Sequence, residues 1–127
     1  MKRNFPISYE ELRNSWGYRE APQYAIEIEV VDGEASECHQ VGDTFQYPRD
    51  RGKMCPWLLN SLEGMIRVLE FGGTLPWNYP GTPYEKTIDP DGVTTEFVRC
   101  PDPTSAGIVV GITRTRLSVN ETGKSVL

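Results

Sequence analysis

The chain has 127 residues, with thirteen lysines and arginines against eighteen aspartates and glutamates and a formal charge of −5. That is enough chain for one modest core, and an acidic balance without a Lys/Arg run argues against both a nucleic-acid footprint and an anionic membrane surface. No apolar stretch approaches the roughly 18 residues that span a bilayer, Met1-Lys2-Arg3 is not followed by the apolar segment of a secretory signal, and three cysteines, an odd number, predict a reducing cytoplasm rather than a disulfide framework.

Residues 1–23 read as an N-terminal arm. Ser8-Tyr9-Glu10-Glu11 is a capping box, with Ile7 and Leu12 placed as a hydrophobic staple, and predicts a short helix from Tyr9 to Trp16. Its apolar residues are too few to stand alone, so the arm is expected to pack on the main body, on a second copy, or on a protein partner. Tyr24 to Val31 alternates, with Ile26, Ile28 and Val30 on one side and Glu27 and Glu29 on the other, which predicts a half-buried strand ended by Asp32-Gly33. A polar segment then carries Cys38 and His39, the single histidine. Val41 to Tyr47 predicts a second strand, and Pro48 to Lys53 a charged loop.

The run from Leu58 to Gly73 is the clearest element. Leu58, Leu62, Met65, Ile66 and Leu69 form one apolar stripe at helical spacing. Pro56 suits the first helical position, where a missing N–H costs nothing. Cys55 therefore falls at the N-cap, and Gly72-Gly73 closes the C-terminus. The following stretch, Leu75 to Tyr84, is rich in proline and aromatics and cannot enter a sheet centre. Asp89-Pro90-Asp91-Gly92 is a turn, Thr94 to Arg99 a third strand, and Gly107 to Leu117 a fourth, in which Ile108, Val110 and Ile112 share a face. Arg114 and Arg116 have the parity of Val110; they are expected to pair at the surface with Glu27 or Glu29, with anion binding as the alternative. The polar tail, 120–127, is expected to fray.

This order predicts a single α+β domain over 24–119: a small, mostly antiparallel sheet of about four strands, or a half-barrel, packed on one central helix with an N-terminal helical arm. Three sets of residues are candidates for chemistry. Cys38, Cys55 and Cys100 each fall at the end of an element; with His39 they are candidate ligands for zinc or an iron–sulfur cluster. No C-x-x-C pair supports that reading, and free buried thiols acting as small hydrophobes are the alternative. Cys55 alone, at a helix N-terminus, is a candidate activated thiol with His39 as its base. Trp77, Tyr79 and Tyr84 would line a ligand or partner groove or seal the helix against the sheet. Trp77 and Asp102 are candidate cofactor contacts, although Asp102, like Asp43, also suits turn capping.

The order of motifs also resembles a family. Ile26-Glu27-Ile28-Glu29-Val30-Val31, a cysteine before Val41-Gly42-Asp43-Thr44-Phe45, Cys55-Pro56 opening a helix, Phe71-Gly72-Gly73 followed by Pro76-Trp77, and Val98-Arg99-Cys100-Pro101-Asp102-Pro103 occur in the sequence of a small uncharacterised bacterial and archaeal repeat family of about ninety residues. The resemblance covers Tyr24 to Arg114. It implies a shared thiol or metal site at Cys38, Cys55 and Cys100, and no activity. The leading expectation is a small cytoplasmic thiol-bearing accessory subunit or module that assists a larger enzyme, with or without a bound metal or cluster. A stand-alone enzyme using Cys55 near Trp77, and a structural interaction module with inert cysteines, are the alternatives.

Overall fold

The computed structural model describes residues 23–33, 38–103, 107–119 and 125–126; the N-terminal arm and its expected helix lie outside them. Four strands form one antiparallel sheet: β1 (Tyr24–Asp32), β2 (Thr44–Tyr47), β3 (Val93–Arg99) and β4 (Val109–Arg116), in the spatial order β2-β1-β4-β3. One helix, α1 (Pro56–Glu70), covers one face. The domain is thus α+β with an open sheet rather than a half-barrel. The tail departs from expectation, since β6 (Ser125–Val126) pairs antiparallel with β5 (Ser118–Val119).

Alternation builds the sheet's inner face. Ile28 stands opposite Phe45 on one side and Ile112 on the other, and Val30 opposite Val110. These side chains meet Leu58, Leu62, Ile66 and Leu69 of α1 in one core, with Ile26, Met54 and Ile108 at its margins. The other sheet face carries Glu27, Glu29, Gln46, Thr113 and Thr115, as expected for an antiparallel sheet wet on one side. The helix starts as its sequence dictates, with Cys55 at the N-cap and Pro56 in the first turn. It ends where Gly72 takes a left-handed φ of 87°, beside the Tyr24 ring.

A bulge ends β1. The register slips between Val30 and Asp32, so that Asp32 faces Val109 rather than Ile108. The slip turns the Asp32 side chain to the outer face, away from the core. Gly33 follows with φ 116°, and a Cβ there would lie 2.7 Å from the Ile108 backbone, so glycine is required for the close approach.

The inner face is not uniformly apolar. Arg114 stands opposite Ile26 and is 1% exposed, so the expected surface pairing with Glu27 or Glu29 does not form; those carboxylates point to the other face. Its Nη1 donates to the carbonyls of Leu69 (3.1 Å) and Gly73 (2.7 Å), and Nη2 to the Thr94 hydroxyl (3.1 Å). Its guanidinium lies 4.6 Å from the centre of the Tyr24 ring. A helix C-terminus has orphan carbonyls and the negative end of the dipole, and this cation meets both. Arg116 pairs with Asp91 (2.7 Å) in the open instead. Replacing Arg114 by Met takes the donor from the Gly73 carbonyl, whereas the Leu69 carbonyl keeps the Gly72 amide and the Thr94 hydroxyl keeps the Asp89 amide, and is expected to lower stability by about 1–3 kcal/mol in urea denaturation at unchanged m-value; a loss below about 0.5 kcal/mol would show that the helix end is satisfied without it.

Candidate functional site

A groove of about 350 Å³ runs along the outer edge of β3. Met65, Leu75, Tyr79 and Val98 wall it on the helix side, and Tyr84, Phe97, Arg99 and Val109 on the other. The proline-aromatic stretch forms its roof. Trp77 is 58% exposed and lies outside the groove lining; Tyr79 and Tyr84 are the aromatics that shape it.

Two interactions hold this roof. On the inner side the Lys86 ammonium, fully buried, donates to Glu96 Oε2 (2.8 Å) and to the Leu75 carbonyl (3.0 Å), and the Lys86 amide donates to the Asn78 carbonyl (2.9 Å). The same ammonium lies 5.7 Å from the centre of the Tyr79 ring. Tyr79 itself is held at φ 50°, a left-handed conformation that an aromatic residue adopts only when its surroundings impose it. On the outer side the Tyr84 hydroxyl donates to Asp32 Oδ2 (2.6 Å), and its ring packs on Phe97 at 5.5 Å between centres. The bulge in β1 makes this bond possible by turning Asp32 outward. The Asp32 carboxyl is held below the ordinary carboxylate range, first by the Tyr84 hydroxyl, then by the Gly33 amide and the nearby Arg99 charge. Tyr84 is correspondingly pushed up, chiefly by its bond to Asp32.

The floor is the strand edge itself. Odd-numbered residues of β3 turn their backbone groups away from β4, because Cys100 and Ile108 are a bonded pair in that ladder. Thr95 spends its outward amide on the Thr87 carbonyl (2.8 Å). The Phe97 amide is met by the carboxylate of its neighbour, Glu96 Oε1 (3.1 Å). Beyond Thr95, no further strand pairs with this edge among the described residues.

The cysteine-bearing segments sit at the opposite end of α1 from Arg114. His39 is buried, stacks edge-on against Phe45, and accepts the Cys55 amide at Nε2 (2.9 Å). Its Nδ1 is 4.0 Å from Asp43 Oδ2. The fold brings His39 and Cys55 together, as a base for that thiol requires, but through the Cys55 backbone amide. The nitrogen facing Cys55 already accepts a proton donor and is engaged as an acceptor. Cys38 is exposed, Cys55 half-buried against the core, and Cys100 buried. Cys100 follows β3, at the far edge of the sheet from β2, about 14 Å away at ordinary strand spacing. No group of three or more His, Cys, Asp or Glu side chains among the described residues is placed to hold a metal ion. Asp102 is half-buried in the loop after Cys100. No helix among the described residues is long and apolar enough to cross a membrane.

No protein-family model, curated protein or solved structure matches this chain. The family resemblance therefore rests on motif order.

Two outcomes test the roof. Lys86→Met leaves a buried carboxylate unpaired and is expected to cost about 3–5 kcal/mol, whereas adding Glu96→Leu should recover at least half of that, because removing both charges is far cheaper than removing one; equal losses in the single and double variants would show that the ammonium acts only on the Leu75 carbonyl. Because the folded-state value of Asp32 is depressed, the Tyr84 tether is intact above the ordinary carboxylate range of about 4 and is lost as pH falls through the depressed value. In Tyr84→Phe the Asp32 carboxyl carbon should titrate at higher pH than in the wild type, and an unmoved midpoint by NMR would remove the tether from the account.

Proposed function

We propose that the chain is a protein-interaction module that takes an extended segment of a partner polypeptide as an added strand along the outer edge of β3. The observation that carries this reading is the coincidence of a strand edge, unpaired beyond Thr95 among the described residues, with the floor of an apolar groove. Edge strands are normally shortened, charged or covered, because their open backbone groups recruit other chains. Here Thr87 covers the edge only at Thr95, and the next stretch, Phe97 to Arg99, is left at the base of the groove.

The partner chemistry follows from the walls. Successive side chains of an added strand point to opposite faces, so alternate residues would enter the pocket under Tyr79, Leu75 and Met65, and those between would lie against Tyr84, Phe97 and Arg99. Backbone bonding would supply affinity, and the aromatic walls would select large apolar or aromatic side chains. The Phe97 amide, now held by its neighbour's carboxylate, is the first donor an incoming carbonyl would take. A module that assists a larger enzyme is the leading expectation from the sequence, and Tyr79 and Tyr84 of the groove belong to the stretch expected there to meet a ligand or partner. A reaction at Cys55 has less support, because the imidazole nitrogen nearest to it is occupied by the Cys55 amide.

The test is selection from a random peptide display library against the full chain, followed by NMR titration. The expected ligands are extended segments of about 6–10 residues with apolar side chains at alternate positions, binding with Kd on the order of 1–100 μM. Their shift changes should fall on Thr95–Arg99 and Leu75–Tyr84, and N-methylation should abolish binding only at the alternate amides that face β3. Ligands that map to another face, or that bind equally well when methylated at those amides, would overturn the reading.

A further inference from the structure

We propose that the outward face of α1 is a self-association surface, through which two copies of the chain pair helix to helix, antiparallel, about a two-fold axis at Gly64. This helix has two apolar stripes where a surface helix ordinarily has one. The inner stripe is buried in the core. On the opposite side Trp57, Ser61, Gly64, Val68 and the C-cap Phe71 recur at i, i+4, i+7, i+11 and i+14, the spacing of a helix-pairing seam. Trp57 is 49%, Val68 41% and Phe71 84% exposed. The charged residues Glu63, Arg67 and Glu70 flank this stripe and leave its centre apolar.

Gly64 selects the occupant. A Cβ added there would meet nothing within 4 Å, so no contact among the described residues calls for glycine, and glycine weakens a helix interior relative to alanine. It lies seven residues from Trp57 and seven from Phe71. That symmetry is what a two-fold antiparallel pairing requires: Trp57 of one copy meets Phe71 of the other, Ser61 meets Val68, and Gly64 meets itself at the axis. Rings at both ends with the smallest residue at the middle let the two backbones close toward the short end of the interaxial range, about 8 Å. The same register sets Arg67 of each copy against Asn60 and Glu63 of the other, an attractive contact made twice. A single helix pair falls at the low end of interface size, under about 1,200 Å², so the dimer is expected to be weak, with Kd of about 10–100 μM. The arm at residues 1–22 is the competing occupant, and the test separates the two.

Sedimentation of the full chain from about 1 to 500 μM should show a reversible monomer–dimer equilibrium with a midpoint in the expected range. Gly64→Arg should be monomeric throughout and melt at a higher temperature than the wild type, because arginine is the better helix former; the raised melting point rules out unfolding as the cause. Gly64→Cys in a Cys38→Ser background should cross-link as a dimer on mild oxidation, since the two Cα atoms face each other at the axis. Three results would overturn the proposal: a wild-type chain that stays monomeric through that range, a dimer that survives Gly64→Arg, or a dimer that forms only after residues 1–22 are deleted, which would give this face to the arm.

Discussion

Hydrogen bonds from the Arg114 guanidinium tie the C-terminal end of α1 to the sheet. An amphipathic helix lying on a sheet by apolar contact alone is free to slide and turn, because burial is not directional. Arg114 removes that freedom. It reaches from β4 to the last carbonyls of the helix and to Gly73 beyond it, while Thr94 on β3 and the Tyr24 ring on β1 hold the guanidinium in place. At the other end the His39 ring takes the amide of Cys55, the N-cap residue. With both ends tied by hydrogen bonds, α1 has one position on the sheet. The chain then leaves Gly73 toward β3 rather than back over the core, and the groove depends on that direction.

The second buried cation works differently. Lys86 is paired with Glu96, and taking two charges out of water offsets most of their attraction, so such a pair contributes little net stability beside an apolar pair of the same size. What it supplies is register. One ammonium binds a carbonyl at the start of the roof and a carboxylate on β3, and its own backbone amide closes the loop at Asn78. An apolar side chain could fill the space without choosing among neighbouring placements of the loop. Tyr79 in a left-handed conformation shows how tightly that placement is imposed.

Elements that depend on near neighbours in the chain were legible in the sequence. The apolar spacing from Leu58 to Leu69, Pro56 after Cys55, Gly72 after the last turn, and the alternation of Ile26, Ile28 and Val30 located α1 and β1 within a few residues. Features that depend on distant partners were not. Arg114 has the parity of Val110, so its inward side was visible, yet a lone arginine in a strand reads as surface because the carbonyls that receive it belong to residues 69 and 73. Lys86 sits in a loop with no periodicity, and the partners that make it a core residue, Glu96 on β3 and the Leu75 carbonyl, are each about ten residues away in the chain. Asp32 read as a turn residue, since a bulge leaves no signal in alternation. Trp77, Tyr79 and Tyr84 are alike in sequence as candidates to line a groove, and only the closure of the loop, which turns Tyr79 and Tyr84 toward β3, separates them from Trp77.

The two surfaces do not compete. Met65, which helps wall the groove, projects from the flank of α1 nearest β3, while Trp57, Gly64, Val68 and Phe71 lie on the side facing away from the sheet. A helix has room for this because 3.6 residues per turn divide its circumference into separate faces: one for the core, one for the groove wall, one for a second copy. A dimer formed on the outer face would leave both strand edges open, and two weak sites on one rigid body engage a partner that carries two segments far more tightly than either does alone, provided the spacing allows both at once. In such a dimer an edge too short to hold a peptide firmly would be no defect, because affinity would come from the pair, and a monomer at low concentration would be only weakly adhesive.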